Sequence, residues 1–201
     1  MKKLLIFALA GFLAQLVDGS LGMGFGASSS SILLTYGITP AIVSATVHFS
    51  EIATTAASGT SHWKFDNVHR STMLKLAIPG AIFGFLGAAF LTHIHSSVIK
   101  PYIAIFLLAM GFYILYQFLF RRQHETHEHV GQLSGWKLIP QGAIAGLLDA
   151  IGGGGWGPVN TPILLSSKKI QPRYAIGTVS ASEFFVTLAT SLSFIFRDNT
   201  N

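Results

Sequence analysis

Two apolar stretches, residues 4–36 and 139–167, each carry an aspartate followed by a cluster of glycines near the middle. A helix needs about 20 predominantly apolar residues to cross the hydrocarbon core, and each stretch is long enough. Glycine at such density weakens a helix interior, and backbone freed inside a bilayer must line protein or water. The combination restricts the chain to a membrane fold with two broken helices packed inside a bundle. Four uninterrupted stretches, 40–59, 73–92, 102–120 and 175–196, supply regular spans around them. The connections 61–70, 93–100, 121–137 and 168–173 are short and polar.

Composition agrees. Only 10% of the 201 residues are charged and 50% are apolar, whereas about 25% of a soluble domain is charged. That excludes an ordinary soluble enzyme and a disordered chain. The net charge of +5 comes from short cationic clusters between apolar runs, Lys2-Lys3, Arg121-Arg122 and Lys168-Lys169. This is the pattern of membrane flanks, so the expected partner is a lipid bilayer and not a nucleic acid. Cysteine is absent, which removes disulfides, thiolate metal sites and a cysteine nucleophile. The first residues, Met-Lys-Lys and an apolar run with Ala8-Leu9-Ala10, imitate a secretory signal. The same kind of segment recurs far inside the chain, where no signal can be, so the first stretch is read as part of the fold.

That recurrence is an internal repeat. Residues 18–34 read DGSLGMGFGASSSSILL and residues 149–165 read DAIGGGGWGPVNTPILL. Gly22, Gly24 and Gly26 fall on Gly153, Gly155 and Gly157, and Phe25 on Trp156. After one inserted residue Pro40 meets Pro172, and Thr46-Val47 with Ser50-Glu51 meets Thr178-Val179 with Ser182-Glu183. Residues 1–120 form a first transmembrane repeat, 121–137 a His-rich linker and 138–201 a second repeat that stops after two elements. Duplicated halves with broken helices mark many transporter folds. The loop before Pro40 is uncharged while its counterpart carries Lys168, Lys169 and Arg173, which puts the two on opposite sides and the halves in inverted orientation. Lys2-Lys3 and Arg121-Arg122 put both starts on one side, and the two observations agree only if a broken element is re-entrant or one cluster breaks the rule. The expected fold is an all-α polytopic membrane protein of two sequence-related, inverted halves, each opening with a Gly-broken or re-entrant helix.

Several residues carry chemistry. Asp18 and Asp149 lie at membrane depth, either capping the half-helix that follows or coordinating an ion or substrate. The glycines either open the helix or allow close helix packing. Ser28, Ser29, Ser30 and Ser31 follow the first break, and Asn160 and Thr161 the second. With half-helix N–H groups they form an anion site without a buried cation, or they pack between helices. Glu51 and Glu183 lie well inside their spans, and His48 stands one turn before Glu51. The pair relays protons or is a structural hydrogen bond. The linker histidines His124, His127 and His129 are incidental polar residues, and no metal ion, cofactor or catalytic residue is expected. Trp63, Trp136 and Tyr102 mark span ends.

The segments GFLAQLVDGSLGMGFG (11–26), PAIVSATVHFSE (40–51) and GAIAGLLDAIGGGGWGP (142–158) resemble the TauE/SafE sulfite exporter-like membrane proteins. The resemblance implies a multi-pass protein of the cell membrane moving small sulfur-containing or organic anions such as sulfite or sulfonates. It also implies two halves of four elements, so the second half, ending in Arg197–Asn201, is expected to be incomplete. The candidate substrate-binding set is Asp18, Gly22, Gly24, Gly26, Ser28, Ser29, His48, Ser50 and Glu51, with Asp149, Gly153, Gly155, Trp156, Gly157, Asn160, Thr161, Ser182 and Glu183. Glu51 and His48 are expected to link an anionic substrate to protons. An intramembrane hydrolase using a serine of 28–31 with His48 is the first alternative, though duplicated Asp, Gly and Glu positions do not serve it. A passive channel or an assembly subunit is the second.

Overall fold

A computed structural model of the chain describes residues 2–120, 135–167 and 170–198. All regular structure among them is helical: α1 Lys2–Leu21, α2 Phe25–Thr35, α3 Pro40–Lys64, α4 Arg70–His93, α5 Ser96–Phe120, α6 Gly135–Gly152, α7 Trp156–Ser166 and α8 Pro172–Asp198. The two interrupted stretches are α1–α2 and α6–α7, and the four regular ones are α3, α4, α5 and α8. Arg121, Arg122, the linker histidines, Lys168 and Lys169 lie outside the described residues. Three of the helices, α4, α5 and α8, are long and apolar enough to cross a membrane. α5 leaves Ile105, Leu108, Phe112, Leu115 and Leu119 exposed, the reverse of a soluble surface where large apolar patches are rare.

The helices outrun their apolar stretches. α5 begins at Ser96 and α4 at Arg70, because a polar first turn is helical without being apolar. At its other end α3 continues to Lys64 and closes in a Schellman motif, in which Asn67 N–H donates to His62 O (2.8 Å) and Asp66 N–H to Trp63 O (3.1 Å). Asp66 takes the left-handed position at φ 56°, where glycine is the usual occupant. Asp66→Gly is therefore expected to raise stability by up to about 1 kcal/mol, the order of the left-handed penalty. A lower thermal midpoint for the variant in the same detergent would mean that the aspartate side chain itself holds the turn.

Close packing places α4 between α6 and α8. Small residues make the approach possible, as is usual between membrane helices. A Cβ on Gly142 would stand 2.5 Å from Leu76 O, and one on Gly84 2.6 Å from Thr190 Oγ1. Beside this seam Leu76, Trp156, Leu164, Ile170 and Val186 form one buried cluster, and Ala88, Leu91, Ile103, Leu107 and Ala150 belong to another. The two glycine breaks lie where α3, α6 and the half-helices α2 and α7 meet.

Candidate functional site

Each break is built the same way. α1 ends at Gly22 (φ 67°) and α6 runs out at Gly153 (φ 68°). Both take a left-handed step that an L side chain resists. Each donates its N–H to the carbonyl four residues back, Gly22 to Asp18 O and Gly153 to Asp149 O, at 2.6 Å in both cases. The next half-helix starts three residues later, with Gly24 and Gly155 as N-caps that offer no side chain. Its free N–H groups need acceptors. Asp18 Oδ1 accepts from Phe25 N–H at 3.3 Å, and Asp149 Oδ1 accepts from Gly155 and Trp156 N–H at 2.8 and 3.1 Å. The capping role is realised at both aspartates, with the carboxylate coming from the preceding helix.

The two breaks touch. A Cβ on Gly26 would stand 2.6 Å from Gly154 Cα and 2.9 Å from Glu51 Oε1, and one on Gly157 2.7 Å from Gly22 O. Hydroxyls tie the backbones together, Ser30 Oγ donating to Gly153 O (2.5 Å) and Thr161 Oγ1 to Gly22 O (2.8 Å). The glycines thus serve close approach of one break to the other.

Beside this contact α3 contributes His48 and Glu51, both buried. His48 does not bond to Glu51. Its Nε2 lies 3.1 Å from Asp149 Oδ2, and its Nδ1 2.7 Å from Ser44 O and 3.3 Å from Ser44 Oγ. Ser44 Oγ donates to Ala150 O at 2.6 Å, which fastens α3 to α6. A ring nitrogen of His48 and carboxylate oxygens of Glu51 and Asp149 lie within 4.8 Å of one another, and Glu51 Oε2 has no hydrogen-bond partner. Asp149, Glu183 and Asp18 are close enough for their charges to act on Glu51. The described lysines and arginines all stand within six residues of a helix end, so the imidazole is the basic side chain at the centre.

Other candidates are less enclosed or are bonded elsewhere. Ser28 is exposed, Ser29 half-buried with an unpartnered hydroxyl, and Glu183 half-buried. Ser50 and Ser182 donate to their own helix, to Thr46 O and Val179 O. Asn160 is buried, donating to Trp156 O and accepting from Gln141 Nε2. Trp156 packs with its ring fully buried and its Nε1–H on Val179 O. The sequence reading missed Ser44 and the His48–Asp149 contact. Ser44, His48 and Asp149 have the composition of a hydrolytic triad but not its geometry, because the hydroxyl proton goes to Ala150 O and not to the ring. A separate cleft of about 540 Å³ runs between α2 and α5, lined in part by Ser31, Thr35, Lys100 and Phe112.

The sequence pattern of the sulfite exporter TauE/SafE family matches residues 7–201. The chain is 53% identical over 195 residues to the probable membrane transporter protein YtnM of Bacillus subtilis (strain 168), covering 97% of this chain and 65% of that relative. The chain thus spans just under two thirds of that relative's length. No solved structure matches it. With an all-helical fold, two glycine breaks in contact and a family match along nearly its whole length, the chain belongs to the TauE/SafE sulfite exporter family of membrane proteins.

Proposed function

We propose that the protein is a multi-pass transporter of the cell membrane that exports small sulfur-containing or organic anions of the sulfite and sulfonate class, coupled to protons. Residues 1–120 and 138–201 act as two inverted repeats joined by the 121–137 linker, and the substrate binds where their breaks meet. One observation carries this reading: two half-helices begin at touching breaks, each with an aspartate from the preceding helix on its first N–H groups. Each helix start is equivalent to roughly half a positive charge, which the aspartates meet in this arrangement; an anion would take their place, without a buried arginine, once the Asp18 and Asp149 carboxylates turn from the N–H groups. The set Asp18 to Glu51 and Asp149 to Glu183 named from the sequence would line the path, with the Ser29 hydroxyl and Glu51 Oε2 as its unsatisfied groups. Contact between the breaks corresponds to a closed state, from which they separate to admit an anion.

The test is flux of radiolabelled sulfite, thiosulfate and a short aliphatic sulfonate from vesicles holding the purified protein, with and without a pH gradient. Saturable flux of one of these anions, accelerated by the gradient, is expected. Flux that ignores the gradient would favour a passive channel, and absence of flux for all three would remove this substrate class.

A further inference from the structure

The atoms around His48 fix where its protons are. Nδ1 faces the Ser44 carbonyl at 2.7 Å, which only accepts, so Nδ1 carries a hydrogen. The Ser44 hydroxyl agrees: its own proton goes to Ala150 O, leaving Oγ as an acceptor toward Nδ1. Nε2 then faces Asp149 Oδ2 at 3.1 Å, inside a contact where both side chains are about 99% buried or more. A neutral ring protonated at Nδ1 has only a lone pair at Nε2, and an ionised carboxylate has only lone pairs. Two lone pairs at this distance, away from water, repel. A proton between them turns repulsion into a charge-assisted hydrogen bond. Asp149 Oδ1 is already held by two N–H groups, so Oδ2 is the oxygen left for it.

We infer that His48 and Asp149 share one exchangeable proton across the contact between α3 and the second break, and that this pair, with Glu51 as its acceptor, is the proton carrier of the transport cycle. The proton site stands on geometry alone; only its part in the cycle rests on the proposed function. Glu51 accepts only as a carboxylate, so it first gives its own proton to water; the Nε2–H or Oδ2–H bond then breaks and an O–H bond forms on Glu51, whose Oε2 has no other partner. The charge of the cluster is unchanged by this transfer. The pair is left lone pair against lone pair, which drives α3 from the α6–α7 break and couples proton movement to separation of the breaks. The titratable groups facing it are Glu51 on α3, Glu183 on α8 and Asp18 on α1; α2 offers only the Ser30 hydroxyl, bound to Gly153 O.

The experiment is nitrogen NMR of the full chain, ¹⁵N-labelled at histidine, in lipid nanodiscs, with the His48 signals identified by their loss in His48→Gln. A protonated Nδ1 at neutral pH is expected, with Nε2 protonated or accepting a strong hydrogen bond. A bare Nδ1 with hydrogen only on Nε2 would overturn the inference, as would a stoichiometric divalent metal ion found by elemental analysis. The second variant is Asp149→Asn. Its amide oxygen keeps both N–H contacts and its NH₂ donates to Nε2, imitating the carboxylate with its proton fixed. It is expected to fold with a thermal midpoint near the wild type's and to lose any acceleration of flux by a pH gradient. A variant whose flux still responds to the gradient as the wild type's does would overturn the inference. Because NMR and unfolding need no substrate, their success without anion flux would retain the proton site and reject the transport reading.

Discussion

Gly154→Ala is expected to leave little folded protein. The new Cβ would land on Ala27 N and the Gly26 carbonyl carbon, closer than side-chain carbons approach other atoms, and both are backbone atoms that cannot rotate aside. The reciprocal change, Gly26→Ala, meets Gly154 Cα at 2.6 Å, Gly153 O at 2.8 Å and Glu51 Oε1 at 2.9 Å. Overpacking a core costs roughly 1–3 kcal/mol and sometimes more, and a main-chain clash between the second break and α2 belongs at or above the top of that range. Gly111 supplies the control. Nothing lies within 4 Å of a Cβ there, and alanine in the middle of α5 should be neutral or stabilise by up to about 1 kcal/mol. Folded yield and thermal midpoint in one detergent read all three. A Gly154→Ala protein as stable as the Gly111→Ala control would mean that the breaks do not touch.

The parts of the fold legible in the sequence are those whose signal is local. A run of about 20 apolar residues announces a span wherever it occurs, so six stretches account for all eight described helices, the aspartate and glycines at 18–26 and 149–157 marking the two interruptions. Capping by Asp18 and Asp149 was one of two open readings for the same reason, since the donors lie six or seven residues away. Helix ends were less legible, because polar residues such as Ser96 and His62 continue a helix without adding to an apolar run.

The central contact was illegible. Helical periodicity relates positions three and four apart, and so it pairs His48 with Glu51, its neighbour one turn on. The partner is Asp149, 101 residues away, and nothing in a single sequence encodes that pairing. A faint signal exists in the proposed repeat. Under the spacing that sets Pro40 on Pro172, His48 falls on Ser180 and Ser44 on Ile176. The imidazole and the serine that orients it both stand where the first half departs from the second. Asymmetry within a repeat points to a group that one half alone must carry.

Asp149→Ala should destabilise the protein far more than Asp18→Ala, although both remove a cap from equivalent places. Asp18 gives up one N–H contact, at 3.3 Å and only half-buried, and a lost cap typically costs about 1 kcal/mol. Asp149 gives up two shorter ones from Gly155 and Trp156, and with them the partner of a wholly buried imidazole. Removing one member of a buried charged pair costs about 3–5 kcal/mol, since the group left behind has neither water nor a partner. Asp149→Asn separates the two contributions. It keeps the oxygen that caps α7 and gives Nε2 a donor, so it should lie within about 1 kcal/mol of the wild type. The thermal midpoints are then ordered with the wild type and Asp149→Asn at the top, Asp18→Ala beneath them and Asp149→Ala well below. Equal losses for the two alanine variants would reduce Asp149 to a helix cap and leave His48 without a structural partner. A loss for Asp149→Asn as large as that for Asp149→Ala would show that the ionised carboxylate, and not a shared proton, holds the contact together.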